Sequence, residues 1–310
     1  MITLLLGSCA ILSSPSQLLA QDADALMGRW NMTIESEDGK IPSWLEIRKS
    51  GNSTLVGAFV GQFGSARPIA EVKVDGNNFS FSIPPQWETR KDDLSFSGHL
   101  MGDHLMGETT DAEGKKIRWK ATKSPALKRG PVERWGKPMA LINGKDLSGW
   151  TTQFTDLPNG WVVKDGILIN KEPGNNLITE RKFEDFKLRA EFRYPEGSNG
   201  GIYLRGRYEM QIEDNYGDEP ESHKIGGIYG YLTPSVNAAK KAGQWQVAEV
   251  TLVGRVITVV LNGERIIDRQ TIPGMTGGAL DNDEAKPGPI MLQGDHGPIE
   301  FRKLEIMQPQ

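Results

Sequence analysis

Short alternating runs, cut at close intervals by Gly, Asn and Asp, constrain this chain more than any other feature. In an extended strand alternate side chains share a face, so such runs read as half-buried β-strands. Asp-Gly and Asn-Gly pairs supply the positive-φ positions of tight hairpins, and Asp75-Gly76, Asp165-Gly166 and Asn262-Gly263 each separate two such runs. The second half carries no sustained helical periodicity; only residues 236–241 suggest a turn of helix. The expected fold class is all-β.

The 310 residues suggest two domains of ordinary size. Residues 28–36, 44–49, 53–62, 66–74, 78–83, 93–101, 104–110 and 115–122 read as strands of a meander. A meander of this length, within residues 26–123, predicts a small up-and-down barrel or strongly curved sheet. Its opening Gly28-Arg29-Trp30 resembles the G-x-W start of lipocalin-like barrels, where the Trp closes one barrel end under a basic residue of the last strand. Arg118 is the expected basic residue. Trp44 and Trp87 are expected in the core, with the mouth of a ligand site as the alternative, and His99 and His104 at the surface. Residues 124–137 hold prolines, glycines and charges without periodicity and read as a linker. From 138 to 308, many short strands in so few residues imply two packed sheets, a concanavalin- or lectin-like jelly-roll β-sandwich.

The net charge of −4, with no long basic run, excludes nucleic acid as a partner. Residues 1–20 include the apolar stretch ITLLLGSCAILSSPSQLLA, read as an export signal cleaved near Ala20, so the expected location is the periplasm or outside the cell. The stretch is too short and too interrupted to read as a transmembrane segment. The single cysteine, Cys9, follows Leu6-Gly7-Ser8; a lipid anchor on it is the lesser alternative.

One hairpin concentrates chemistry. Residues 199–214 (NGGIYLRGRYEMQIED) read as two strands around Gly206. Alternation puts Ile202, Leu204, Met210 and Ile212 toward a core. It puts Tyr203, Arg205, Glu209, Gln211 and Glu213 on the opposite face. So polar a face is costly to bury and is expected to line a cleft.

The second domain resembles the 3-keto-disaccharide hydrolase domain family. The resemblance rests on Leu141 to Trp150 (LINGKDLSGW), Trp161, Asp165-Gly166, Phe186, Asn199, Gly201-Ile202, Leu204-Arg205, Tyr208-Glu209, Gln211-Ile212 and Asp214. It continues through Gly227, Tyr229-Gly230, Trp245, Leu261-Asn262-Gly263, Leu292-Gln293, His296-Gly297 and Phe301-Arg302. Two departures, Gly200 where the family has Ser and Gln246 where it has Asn, are expected near the cleft. The resemblance implies a jelly roll acting on oxidised sugars.

A 3-keto sugar has an acidified proton at C2, so a base can remove it, the glycosidic oxygen can leave, and water can then add to the enone. On that reading Glu209 or His296 serves as base, Arg205 stabilises the enolate, and Asn199, Tyr203, Gln211, Asp214, Trp245 and Gln293 bind the sugar. The cofactor these residues allow is a divalent metal ion, for which Glu209, Asp214, His223 and His296 are suitable ligands. The run from Asp281 to Glu284 is a weaker calcium candidate. Two alternatives stand beside this one. Glu209-x-Gln211-x-Glu213 resembles the two-glutamate strand of retaining glucanases. A non-catalytic carbohydrate-binding module would instead present Trp150, Trp161 and Trp245 to sugar rings.

Overall fold

The computed structural model describes residues 24–37, 39–111 and 113–310. The stretch read as an export signal, the expected cleavage position near Ala20 and Cys9 lie outside the described residues. Eight strands form the first layer: β1 (Gly28–Ser36), β2 (Gly39–Ser50), β3 (Thr54–Val60), β4 (Arg67–Asp75), β5 (Asn78–Ile83), β6 (Leu94–Met101), β7 (His104–Thr110) and β8 (Lys116–Lys123). They pair in chain order, and β1 pairs β8 antiparallel, closing a barrel. Closure leaves no open sheet edge. The interior is packed with Phe59, Phe81, Phe96, Trp119 and aliphatic side chains.

Lys123, not Arg118, covers Trp30. Its Nζ lies 3.7 Å from the Trp30 ring centroid. The antiparallel register is the reason: Trp30 pairs with Lys123, whereas Arg118 pairs with Glu35 toward the other end. His99 and His104 are exposed.

The remaining strands are β9 (Met139–Ala140), β10 (Trp150–Thr152), β11 (Trp161–Lys164), β12 (Ile167–Asn170), β13 (Leu177–Phe183), β14 (Phe186–Arg193), β15 (Asn199–Leu204), β16 (Tyr208–Glu213), β17 (Gln246–Val253), β18 (Val256–Leu261), β19 (Glu264–Thr271), β20 (Gly288–Leu292) and β21 (Ile299–Met307). One sheet runs β10-β13-β20-β15-β16; the other runs β11-β12-β21-β14-β17-β18-β19, with β9 on β21. They enclose one apolar core, a jelly-roll sandwich. In β14, Phe186, Leu188, Ala190 and Phe192 are buried and the residues between them are partly exposed, the signature of a sheet with one wet face.

Residues 236–241 form no helix; Asn237 and Gln246 bond that segment's backbone side-on instead. Residues 227–229 contribute an isolated bridge at Ile228 rather than a strand. The segment 124–137 lies along the sandwich, where Trp135 bridges Pro309 and Arg129 pairs Glu184. Among the described residues, no helix is long and apolar enough to cross a membrane.

Barrel and sandwich meet along a small apolar seam of Trp44, Val60, Met275 and Ala279. Trp44 is fully buried there, edge-on to Tyr231 at 5.7 Å, and the bare Cα of Gly274 makes room for its indole. Polar contacts flank the seam: Asn31 Nδ2 donates to the Asn282 carbonyl at 2.7 Å, and the Gly278 amide to the Gln62 carbonyl at 2.7 Å.

Candidate active site

Unlike β14, strands β15 and β16 are buried on both faces. Ile202, Leu204, Met210 and Ile212 pack into the sandwich core. The opposite face carries Tyr203, Glu209 and Gln211, roofed by the segments around Thr276 to Gly278 and Gln293 to His296 and by the barrel loop at Phe63 and Gly64. Between them lies a cleft of about 190 Å³, which Asn199, Asn176, Tyr229, Gln293, Asp295 and His296 also line.

Glu209 is the centre of this cleft. Register pairs it with Tyr203, whose hydroxyl lies 2.9 Å from Glu209 Oε2 and 3.0 Å from the Gly277 carbonyl. Its backbone amide donates to Thr276 Oγ1 at 3.0 Å. A Cβ at Gly201 would sit 2.5 Å from Glu209 Oε1, so glycine there leaves the carboxyl its place. Burial pushes the Glu209 carboxyl up to about 8; the Tyr203 hydrogen bond and the His296 charge offset this only in part. Near neutrality Glu209 is therefore mostly a neutral acid. The Tyr203 hydroxyl lies within reach of both acceptors and is the donor to Glu209 Oε2 and to the Gly277 carbonyl. Burial, first, and the neighbouring Glu209 hold Tyr203 itself well above its ordinary value.

His296 is half-exposed at the rim. Its Nδ1 lies 2.6 Å from Asp295 Oδ1. That hydrogen bond, more than the opposing desolvation, raises the imidazole above its ordinary 6.5, with the Glu209 charge adding to it. With Nδ1–H donated to Asp295, Nε2 is the basic nitrogen. Gln211 Nε2 donates to Asn199 Oδ1 at 3.1 Å, but Gln211 Oε1 is buried without a partner, and so is Gln293 Oε1. A buried acceptor left unpaired is costly. Two such acceptors in one cleft suit a ligand rich in hydroxyl donors.

Three expected site residues are elsewhere. Arg205 is in the turn, not on the strand: Arg205 and Gly206 take φ of 54° and 66°, and the Arg207 amide donates to the Leu204 carbonyl at 3.1 Å. The positive-φ turn breaks the alternation that would have aligned Arg205 with Tyr203. Its guanidinium is buried, donates to the Gly254 carbonyl and lies 5.2 Å from the Tyr208 ring centroid. It forms no ion pair with Glu209. Asp214 Oδ2 accepts from the Gly197 amide at 2.9 Å outside the cleft. Trp245 sits between Arg193 and Arg302, at 4.8 and 4.5 Å, and neither it nor Gln246 lines the cleft.

The proposed metal ligands do not assemble either. Glu209 and His296 line the cleft, Asp214 caps a turn, and His223 is exposed against the Tyr229 ring at 4.8 Å. Among the described residues no three acids, histidines or cysteines are grouped so as to hold a metal ion. The Asp281 to Glu284 run is committed to protein partners: Asp281 to Arg207, Asp283 to Lys286, and Glu284 to Tyr208 and Arg255. Glu213 faces Asn215 outside the cleft, so the two-glutamate arrangement is absent. Trp150 and Trp161 are buried, their indoles bonded to the Leu141 and Asn175 carbonyls, and form no sugar platform. Sequence reasoning missed Tyr229, Asp295, Thr276 and the barrel loop. Asp295 carried a local signal, being adjacent to His296; the barrel loop carried none.

A curated 3-keto-disaccharide hydrolase of Bacteroides thetaiotaomicron is 21% identical over 174 residues, which are 44% of this chain and 60% of that protein. The chain thus spans less than two thirds of that relative. A Parabacteroides distasonis protein solved as a candidate glycosyl hydrolase is 28% identical, covering 58% of this chain and 92% of its own, with a TM-score of 0.47. A second from the same organism is 26% identical, covering 56% of this chain and all of its own, with a TM-score of 0.44. The 3-keto-alpha-glucoside-1,2-lyase-like domain family matches residues 137–307. As that match takes in more than half of the sequence, the chain belongs to this family.

Proposed function

We propose that the chain is an exported enzyme that cleaves glycosides of 3-keto sugars by elimination and hydration. The observation that carries this reading is a buried, mostly neutral Glu209 sharing one cleft with an Asp295-bound His296. His296 Nε2 takes the C2 proton, which the C3 carbonyl acidifies. The C2–H electron pair passes into the C3 enolate and returns to form the C1–C2 double bond as the C1–oxygen bond breaks. Glu209 gives its proton to the departing oxygen, and Tyr203 then supports the resulting carboxylate. Water adds across the enone, with the same two groups exchanging roles. Asn199, Gln211 and Gln293 hold the sugar hydroxyls, and the two unpaired amide oxygens are the acceptors they meet. Family membership supports the substrate class; the cleft supports the division of acid and base. With Arg205 bonded elsewhere, enolate stabilisation falls to donors lining the cleft, and we assign it to the Tyr229 hydroxyl.

The test is aglycone release from a 3-keto glucoside and from its unoxidised parent, with and without EDTA. Release from the keto form alone is expected. Release from the parent would overturn elimination in favour of direct hydrolysis. Binding without release from either would make the sandwich a recognition module. Loss of release in EDTA would assign the reaction a metal that the residues named here do not account for.

A further inference from the structure

The family match begins at residue 137, yet the cleft is not complete without the barrel. Phe63 and Gly64, on the loop after β3, line it. That loop is locked to the segment that bonds the Tyr203 hydroxyl. A Cβ at Gly277 would sit 2.3 Å from the Gly64 carbonyl oxygen, so the two backbones touch. The Gly278 amide donates to Gln62, and the Gly277 carbonyl faces the Tyr203 hydroxyl that reaches Glu209. From behind, Gln86 brackets Ser65 with hydrogen bonds of 3.1 and 2.8 Å. Arg67 holds Glu88 with two more, at 3.1 and 2.9 Å.

A loop that only docked would bury its apolar side chains. Trp44 and Val60 at the seam are 1% and 0% exposed. Phe63 is 49% exposed and Trp87, edge-on to it at 5.2 Å, is 41% exposed. Across the cleft Phe154 is 46% exposed. Half-exposed aromatics at a cleft rim, two of them in edge-to-face contact, leave apolar surface for a ligand. The cleft itself, about 190 Å³, is smaller than the ~300 Å³ at which small-molecule pockets usually begin. A substrate of two rings must extend past it.

We propose that the barrel supplies a substrate subsite, in which Phe63, backed by Trp87, stacks on the ring joined through the scissile bond to the sugar over Glu209. The inference rests on the proposed function for its account of the first ring. The second ring is a flat one with an apolar face, either a second sugar or an aromatic aglycone.

The test compares the full-length chain with Phe63→Ala and Phe63→Trp on three 3-keto glucosides: a disaccharide, a nitrophenyl glucoside and a methyl glucoside. Phe63→Ala is expected to raise KM about five- to tenfold for ringed leaving groups and to spare the methyl glucoside, and Phe63→Trp to restore KM. An effect on the disaccharide alone identifies a sugar subsite, and on the nitrophenyl glucoside alone an aglycone subsite. An equal change on all three, or none, overturns the inference while leaving the proposed chemistry standing. If no glucoside is cleaved, calorimetry with the unoxidised disaccharide and methyl glucoside decides. Weaker binding of the disaccharide alone in Phe63→Ala keeps the subsite although the chemistry has failed. Equal affinities, or no binding to the wild type, overturn it.

Discussion

Two buried glutamates, Glu209 and Glu284, make the useful comparison. Both are nearly inaccessible, and both lie within hydrogen-bond distance of a tyrosine hydroxyl: Tyr203 at 2.9 Å and Tyr208 at 2.7 Å. They differ in one neighbour. Glu284 faces the Arg255 guanidinium at 3.7 Å, and Arg255 also donates to the carbonyls of Pro273 and Pro125. Glu209 has no such cation, only a half-exposed imidazole at the rim. A buried carboxylate with a guanidinium is an anchor, here tying the sandwich to the segment that follows the barrel. Glu209, buried without one, is pushed up to about 8 and has chemistry available.

The largest effect expected of any change is that of Glu209→Gln. An amide keeps the shape and loses the transferable proton, so kcat for 3-keto glucoside cleavage should fall about 10²–10⁴-fold with the circular dichroism spectrum unchanged. Full turnover in this variant would remove Glu209 from the reaction. Glu284→Gln should do the reverse. It leaves Arg255 buried and unpaired, at a cost of about 3 kcal/mol in denaturant unfolding, while turnover of the folded protein persists. If the two variants behave alike, the contrast drawn above is wrong.

The pH dependence sharpens the same contrast. With Glu209 as acid, kcat/KM falls as pH rises through about 8. With His296 as base, it climbs as pH passes a value above 6.5. A profile that instead rises through 8 would make Glu209 the base. Stability carries a matching signal. Glu209 goes from 4.5 in the unfolded chain to about 8 in the fold, so its contribution is full below pH 4.5 and is lost as pH rises to 8. The loss is on the order of 5 kcal/mol, and thermal melts of Glu209→Gln should lack it.

Gly201→Ala is a smaller perturbation. The new methyl meets Glu209 Oε1, the movable end of that side chain, so the carboxyl turns aside. Turnover should drop roughly tenfold, a cost typical of a misplaced reacting group, with little change in melting temperature. Least of all is expected from Trp245→Phe. Its ring lies between two arginines outside the cleft, and kinetics indistinguishable from wild type are expected. A marked rise in KM would place sugar where the structure has none.

Much of this site was legible because a β-hairpin is a local object. Period-two alternation placed Tyr203, Glu209 and Gln211 on one face, and the turn residues located the reversal. Arg205 was misjudged because alternation stops where φ turns positive, and the hairpin could have turned one residue later. Asp214 and Trp245 were misjudged because adjacency in a motif does not say which side of a sheet is wet. In the barrel, the G-x-W start pointed to a basic cover for Trp30, but β8 register rather than residue type selected Lys123.

By itself the sequence determined the all-β class, the hairpins and the polar face of β15 and β16, since turn chemistry and side-chain alternation act over a few residues. Tertiary structure alone decided what became of that face. Burial under segments 67 to 87 positions away in one direction and about 145 in the other turned an ordinary glutamate into a neutral acid. A desolvation of that kind depends on everything packed around a group, and no local pattern encodes it.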